Sequence, residues 1–405
     1  MKRRGVLQGV GASVAALSAA KAARAVGVLT DAGLPEGTRA SATLEALPGK
    51  NKLVKLTYRP PNYETPVSVF RTAITANADF FVRYHLGDIP DMAALKDWKL
   101  SIGGDAAEKP LTFTLNDLKS RFPIAEVTSV CQCSGNRRGF SEPHVPGVQW
   151  GSGAMGNARW TGVRLKDVLA AAGVKAGALE VAFDGADKPV IQATPDFIKS
   201  IPLAMAQSAD VLLAWNMNGV ALPLLNGFPL RVVVPGWTAT YWVKHLTTID
   251  VRSKPSENFW MQKAYRVPKS MFPPELAFTT QEDANTAPIT DIVVNSLIAA
   301  PAPGARVAQG GFEVQGVAWD GGSGIKSVEV STDGGKTWKA ASLGQDLGRF
   351  AFRTFNLRVT GAAAGETTIL ARAVSQRGEA QADKLKFNPA GYHNNVPRAV
   401  SVTVA

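Results

Sequence analysis

The stretch from residue 292 to the end constrains the fold more than any other part of the chain. "FEVQGVAW", "KSVEVSTD", "FAFRTFNLRV", "TTILARAVS" and "AVSVTV" alternate apolar and polar residues, and turns such as "DGGSG" and "DGGKTW" separate them. Alternation with period two puts one row of side chains on each face of a strand, so every segment has an apolar face to bury. Several such strands, joined by short turns, bury those faces against each other in a sandwich, expected here to be of immunoglobulin type. The Cys…Trp…Cys signature is missing, so strand pattern alone carries this expectation.

Upstream the texture differs. Over residues 80–291 β-like runs alternate with helical ones. "LRVVVPG" (230–236) is a continuous apolar run and reads as a buried strand. "RLKDVLAAAGV" (164–174) puts Leu165, Val168, Leu169 and Ala172 on one helical face and ends at Gly173. "FDG" (183–185) and "MNG" (217–219) read as turns. The expected architecture is α+β: a mixed α/β domain over 80–291 and an all-β domain over 292–405. Residues 26–79, rich in Pro, Gly and polar residues, read as an extended arm.

The first 25 residues have a basic start, a mild apolar middle and the small-residue end Ala23-Arg24-Ala25, the pattern of a secretory leader. Arg3 and Arg4, with Gly and Ala rather than Leu in the middle, point to twin-arginine export to the periplasm. That route carries folded proteins, often with a cofactor already inserted. Losing the five basic residues of this segment takes the formal net charge from +11 to +6. A modest positive surplus suits an anionic substrate. No dense Lys/Arg run or aromatic-basic patch points to nucleic acid, and no apolar run reaches the roughly 18–20 residues that span a bilayer.

Both cysteines of the 405-residue chain lie in "IAEVTSVCQCSGNRRGF" (124–140). Cys131 and Cys133 are two positions apart, so a disulfide between them would have poor geometry. No Cys-x-x-Cys-His attaches a haem here. The four histidines, His85, His144, His245 and His393, show no His-x-x-x-His spacing for a zinc or di-iron cage. "IAEVTSVCQC" alternates like a strand, with Val127, Ser129, Cys131 and Cys133 on one face. Cys133 sits at the exit, where "SGN" can turn it into a cleft and Arg137 and Arg138 can supply positive charge. On chemistry alone Cys133 is a nucleophile or a soft metal ligand, and Cys131 a packed neighbour.

"CSGNRR" (133–138) resembles the Cys-x-Gly-Asn-Arg-Arg segment of the sulfite oxidase family of molybdenum enzymes. Other segments match in order: "FFVRYHL" (80–86), "MNGVALPLLNGFPLRVVVPGW" (217–237), "WVKHL" (242–246), "FWMQKAYR" (259–266) and "STDGGKTW" in the C-terminal region. The resemblance spans roughly residues 50–405. It implies a molybdopterin domain, a C-terminal dimerisation domain and a molybdenum held by a pyranopterin dithiolene, with Cys133 as the only protein ligand to the metal. It also implies Arg83 as the sulfite-binding group, Tyr265 as a phenol donating to substrate, and His85 beside pterin and substrate. Tyr84, Asp167, Asn226, Arg231, Trp242, Val243 and Lys244 fall at cofactor-contact positions, with Arg231 and Lys244 on the cofactor phosphate. Asp167 also reads as an ordinary helix-surface carboxylate. Asn226 stands where animal members have His, Tyr84 where they have Asn, and Trp242 replaces the His of His-Val-Lys, so contacts at these positions differ in kind.

The activity implied is oxidation of sulfite to sulfate. With no haem signature in this chain, the expected acceptor is a separate c-type cytochrome, with the C-terminal domain serving a homodimer or a heterodimer. Rival readings are a sulfane-sulfur dehydrogenase of the same family with a haem subunit, the methionine sulfoxide reductase branch (which the sandwich argues against), assimilatory nitrate reductase, and a non-catalytic exported sandwich protein.

Overall fold

Short antiparallel strands carry nearly all of the architecture. The computed structural model describes residues 28–29, 42–269 and 280–405; the expected leader at 1–25 lies outside the described residues. No described helix is long and apolar enough to cross a membrane.

In the upstream part, one five-stranded sheet orders Val28–Leu29, Ala42–Ala46, Lys52–Thr57, Asn62–Glu64 and Val82–Arg83 as sequential antiparallel neighbours. The expected extended arm therefore contributes four short strands to a sheet whose last strand delivers Arg83. Its sequence hides the strands around Leu53 and Val54 and at Asn62–Glu64 because adjacent residues there are buried in succession. Leu53 and Val54 are adjacent and both buried, and Asn62, Tyr63 and Glu64 are buried in succession, so no period of two survives.

A second sheet runs Lys199–Pro202, Glu180–Gly185, Leu246–Arg252, Leu100–Gly103 and Leu111–Phe113, and only Leu246–Arg252 and Leu100–Gly103 pair in parallel. A third runs Val220–Ala221, Leu212–Met217, Met155–Arg164 and Ile124–Gln132, with Arg231–Val233 on the other side of Leu212–Met217.

The mixed α/β expectation shifts toward β. The described α-helices, Leu115–Arg121, Leu165–Ala172, Leu203–Ala206 and Phe259–Gln262, are short. Leu165–Ala172 has the predicted buried face and ends on Gly173 at φ 71, a conformation glycine adopts without a Cβ clash. "FDG" is not a turn: Phe183 is fully buried opposite Ile249, and the strand continues to Gly185 through a bulge. In "MNG", Asn218 at φ 54 and Gly219 at φ 83 form the two-residue turn between Met217 and Val220.

The C-terminal segments form the strands read from their alternation. Asn295–Ala300, Phe312–Trp319, Arg353–Val359 and Ser342–Leu343 make one sheet. Arg306–Val307, Val400–Val404, Gly365–Ser375, Ile325–Ser331 and Lys339–Ala340 make the other. One apolar core joins them, with Val314 and Phe355 facing Val328, Ala371 and Val402.

A separate cluster fastens this sandwich to the upstream part: Phe70, Val130 and Met155 pack on Leu297, Val317, Trp319 and Phe352. The Val130 N–H donates to the Phe350 carbonyl at 2.9 Å, and Trp319 Nε1 donates to Gln132 Oε1 at 2.6 Å. The strand that leads to Cys133 is thus braced by the C-terminal domain.

Candidate functional site

Strand Ile124–Gln132 ends one residue before Cys133, and the next residues fold back at once. The Cys133 N–H donates to the Ala154 carbonyl at 2.9 Å, and the Asn136 N–H returns to the Cys133 carbonyl at 3.0 Å. Asn136 Oδ1 accepts from the Ala154 N–H at 3.1 Å. Gly135 has no space for a side chain, since a Cβ would stand 2.6 Å from the Arg138 guanidinium carbon. Arg137 takes the left-handed conformation at φ 69. Each residue of the turn thus has a local job, and together they hold the Cys133 thiol at a cavity wall.

Arg137 corrects one expectation. Its guanidinium turns away from the thiol and donates to Asn295 Oδ1 and the Ser296 carbonyl, both at 2.6 Å. Arg138 likewise donates to the carbonyls of Ala390, at 2.7 Å, and Val148, at 3.1 Å. The two arginines stitch the turn to the C-terminal domain.

The cavity, about 680 Å³ including its open mouth, is lined by Cys133 together with Arg83, Tyr84, His85, Asn226, Arg231, Trp242, Val243, Lys244 and Tyr265. Every residue expected at the site is there except Asp167. That carboxylate lies half-buried in the first turn of helix Leu165–Ala172, outside the lining. The carboxylate that does line the cavity is Asp187, in the loop after strand Glu180–Gly185. Nothing local marks Asp187 in the sequence; only the path of that loop brings it in.

Around the mouth of the site three groups converge. His85 Nε2 and the Tyr265 hydroxyl share a short hydrogen bond, and Arg83 Nη2 lies 3.4 Å from the same hydroxyl. Arg83 also donates to Asn62 Oδ1 at 3.3 Å and to the Tyr84 carbonyl. His85 stacks on Phe197 with centroids 3.6 Å apart. Burial, and then the charges of Arg83, Lys244 and Lys199, push the His85 imidazolium well below its usual range, so the ring is neutral. Burial raises the Tyr265 phenol, which therefore keeps its proton.

The deeper wall is cationic. Arg231 donates to the carbonyls of Asn226 at 2.9 Å and Trp242 at 3.2 Å, and points another N–H at Cys131 Sγ at 3.8 Å. Lys244 donates to the Arg83 carbonyl at 2.5 Å and is held well below the usual ammonium range by burial, against the pull of Asp187. Burial raises the Asp187 carboxyl, and Lys244 opposes that rise. The Cys131 thiol is pushed up to about 11 by burial, so it stays protonated. Tyr84 hydrogen-bonds His245 Nε2 at 2.7 Å, and His245 Nδ1 meets the Phe228 carbonyl at 2.6 Å. Trp242 closes the back of the wall, its Nε1 donating to the Trp237 carbonyl at 3.1 Å.

Residues 86–260 match the oxidoreductase molybdopterin binding domain, and residues 286–405 the Mo-co oxidoreductase dimerisation domain. Sulfite oxidase of Gallus gallus is 38% identical over 341 residues, covering 81% of this chain and 72% of that protein. This chain belongs to the sulfite oxidase family of molybdenum oxidoreductases. Sulfite oxidase of Arabidopsis thaliana is 34% identical, covering 77% of this chain and 81% of that protein. The mitochondrial sulfite oxidase of Homo sapiens is 35% identical, and 65% of its length is spanned. Among solved structures, the sulfane dehydrogenase SoxCD of Paracoccus pantotrophus aligns with TM-score 0.72 and 29% identity over 86% of this chain and 88% of that one.

Membership in the sulfite oxidase family makes molybdenum-molybdopterin the cofactor, and the dimerisation domain makes the chain a subunit of an oligomer. The lining fits such a group. Ser134 Oγ, Thr240 Oγ1 and Arg231 Nε are buried without a hydrogen-bond partner among the described residues, a cost that a bound polar molecule removes. Arg83, Arg231 and Lys244 outnumber Asp187 in the wall, which suits an anionic ligand. Among the described residues no cluster of three His, Cys, Asp or Glu could hold a metal.

Proposed function

We propose that this chain is a sulfite dehydrogenase, oxidising sulfite to sulfate and passing electrons one at a time to a c-type cytochrome. The convergence of Arg83, His85 and Tyr265 on the cavity that holds Cys133 carries this reading. Cys133 would hold the molybdenum cofactor at the metal, and Arg231 and Lys244 at its phosphate; when bound, it would supply the two-electron couple and the oxygen-atom transfer.

The chain's own groups do the rest. Arg83, with Nη1 held by Asn62 and the Tyr84 carbonyl, presents Nη2 to the sulfite oxyanion. Tyr265, protonated, donates its O–H to a substrate oxygen and orients the anion. Sulfite plus water gives sulfate, two electrons and two protons, so protons must leave the site. In the free site neutral His85 accepts the Tyr265 O–H at Nε2; once that O–H turns to a substrate oxygen, Nε2 is left open to take a proton and release it when the product is gone. Phe197 and Trp260 pack around His85 and keep that path dry.

Purified protein assayed for molybdenum, pterin and sulfite-dependent reduction of cytochrome c tests this directly. Sulfite turnover with oxygen but not with cytochrome c would overturn the acceptor. The fold likeness to SoxCD favours a second reading, oxidation of sulfane sulfur with a haem subunit. Turnover with a protein-bound sulfane and none with free sulfite would select it. A non-catalytic sandwich protein has no place in a chain whose residues 86–260 match the molybdopterin domain.

The site of action follows from residues 1–25: export of the folded protein to the periplasm. Replacing Arg3 and Arg4 by Lys should hold the protein in the cytoplasm on fractionation, and unchanged export would reject the twin-arginine route.

A further inference from the structure

A buried cation stands behind the cavity wall, on a segment outside both matched family domains. Lys50 follows strand Ala42–Ala46 through a turn closed by its N–H on the Leu47 carbonyl at 2.9 Å, with Gly49 at φ 72. The side chain is buried. Its ammonium donates to the Asn77 carbonyl at 2.6 Å and to Asn226 Oδ1 at 2.5 Å. Neither acceptor carries a charge. Burial first, with the like charge of Arg231 adding to it and the opposite charge of Asp79 opposing it, lowers its pKa to about 7.

Asn226 is the lining residue that replaces a histidine of the animal relatives, and it is clamped from two sides. Lys50 takes its Oδ1, and Arg231 Nη1 donates to its carbonyl at 2.9 Å. Of its two amide N–H bonds, one makes a long contact with the Phe81 carbonyl at 3.4 Å; the other has no acceptor among the described residues. An asparagine whose oxygen is committed can offer a ligand only its N–H edge. Arg231 Nε, beside it, is also unpartnered.

We infer that Lys50 is a positioning residue for the phosphate monoester end of the cofactor: it locks Asn226 as a donor and adds a third cation beside Arg231 and Lys244. The inference rests on the cofactor reading above. Lys50, Arg231 and Lys244 are desolvated basic groups answered only by the carboxylates of Asp79 and Asp187, an expensive arrangement in the free protein, and a phosphate would offset it through charge-assisted hydrogen bonds. An oriented amide can then do what an imidazole N–H does in relatives with His at this position.

The test uses the full chain. Pterin content of the wild-type protein measures the cofactor reading by itself. Lys50→Met removes the ammonium but keeps the length of the side chain, and Asn226→Leu removes the donor edge. Each should release pterin about tenfold faster than wild type, as expected for loss of one charge-assisted hydrogen bond. In an Asn226→His background, Lys50→Met should matter much less, a non-additivity that a merely structural lysine would not produce. Wild-type release rates in Lys50→Met, or in Asn226→Leu should Lys50→Met fail to fold, would overturn the inference. Absence of pterin from the wild-type protein would overturn the cofactor reading instead.

Discussion

The Tyr265 hydroxyl is hydrogen-bonded to Nε2 of His85, and the two rings meet edge-on with centroids 5.5 Å apart. Tyr265 reaches this position from a strained backbone at φ 59, a region that non-glycine residues occupy at a cost of about 1–3 kcal/mol. Its surroundings hold it there. The Ile289 N–H donates to its carbonyl at 2.8 Å, and its ring stacks on Tyr392 with centroids 5.8 Å apart and an interplanar angle of 9°. Tyr265→Phe keeps the packing and deletes only the hydroxyl. Turnover of sulfite should fall by about 10- to 100-fold, the range for a positioned donor, with thermal stability little changed. Undiminished kcat in steady-state assays would remove Tyr265 from the chemistry.

Arg83 acts through charge and direction rather than proton transfer. Asn62 and the Tyr84 carbonyl fix its guanidinium, leaving Nη2 toward the Tyr265 hydroxyl. Arg83→Gln keeps some hydrogen-bonding capacity and loses the cation. KM for sulfite should rise by about tenfold or more, because a hydrogen bond to a charged group is worth about 1.5–3 kcal/mol. The rise should shrink in high salt if long-range attraction contributes. An unchanged KM would contradict anion binding at Arg83.

The two cysteines should separate cleanly. Cys131 also lines the cavity as a protonated thiol, its Sγ touched by Arg231 at 3.8 Å, and Cys131→Ser, which keeps a small protonated group there, should retain most activity. If Cys133 holds the metal as proposed, Cys133→Ser exchanges a soft sulfur donor for a hard hydroxyl and should abolish turnover while the melting temperature of the protein stays within a few degrees. Equal loss in both variants would refute the assignment of one sulfur to one metal.

The site was legible in the sequence where one short segment carries the chemistry. The turn after Cys133 needs glycine against the Arg138 guanidinium and an amide for the Ala154 N–H, so its residue types announce its shape. Asp187, Lys50 and Lys199 were not legible, because each reaches the site through the course of a loop or strand far away in sequence. Asp167 misled because its helix has the pattern of a surface helix whichever way its first turn points. The strands around Leu53 and Val54 and at Asn62–Glu64 were hidden because adjacent residues are buried together, whereas those of 312–404 show their alternation. "FDG" looked like a turn because local preference favours one, but the partners of Phe183 in the sheet prevail.

Lys199 predicts a pH effect on stability. Its ammonium is fully buried, donates to the Trp260 carbonyl at 2.6 Å and lies over the rings of Tyr241, at 4.9 Å, and Tyr265, at 5.2 Å. Burial first, and Arg266 second, lower its pKa to about 7. The unfolded chain therefore binds the proton more tightly than the folded one. The cost of folding with this charge is full below about pH 7 and disappears as pH rises toward the ordinary lysine value near 10.4. Lys199→Met removes that dependence. Relative to wild type, the mutant should be favoured at pH 6.5 over pH 9.5 by a difference on the order of 3 kcal/mol. Urea unfolding at the two pH values measures it, and a constant gap would show that the buried lysine does not titrate in this range.

Arg137 couples the cysteine turn to the C-terminal domain, and its removal should be felt in both. Its side chain is fully buried and has only neutral acceptors: Asn295 Oδ1, the Ser296 carbonyl, and the Val396 carbonyl at 3.2 Å. Its own carbonyl accepts from Asn394 Nδ2 at 3.2 Å, and its N–H donates to the Gly151 carbonyl at 2.8 Å. Arg137→Ala removes a charged donor from each acceptor, although Asn295 Oδ1 keeps the Ser296 N–H at 3.0 Å and Gln381 Nε2 at 3.3 Å, and it opens a cavity against Trp319, whose ring lies 5.9 Å from the guanidinium carbon. A loss of about 3–5 kcal/mol is expected, with lower kcat because the same turn carries Cys133. Arg137→Lys should recover less than half of it, since a single ammonium cannot reproduce the planar fork that reaches Asn295 and Ser296 together. Thermal unfolding alongside turnover decides the point: a wild-type midpoint in Arg137→Ala would mean that the cysteine turn holds its shape without the domain behind it.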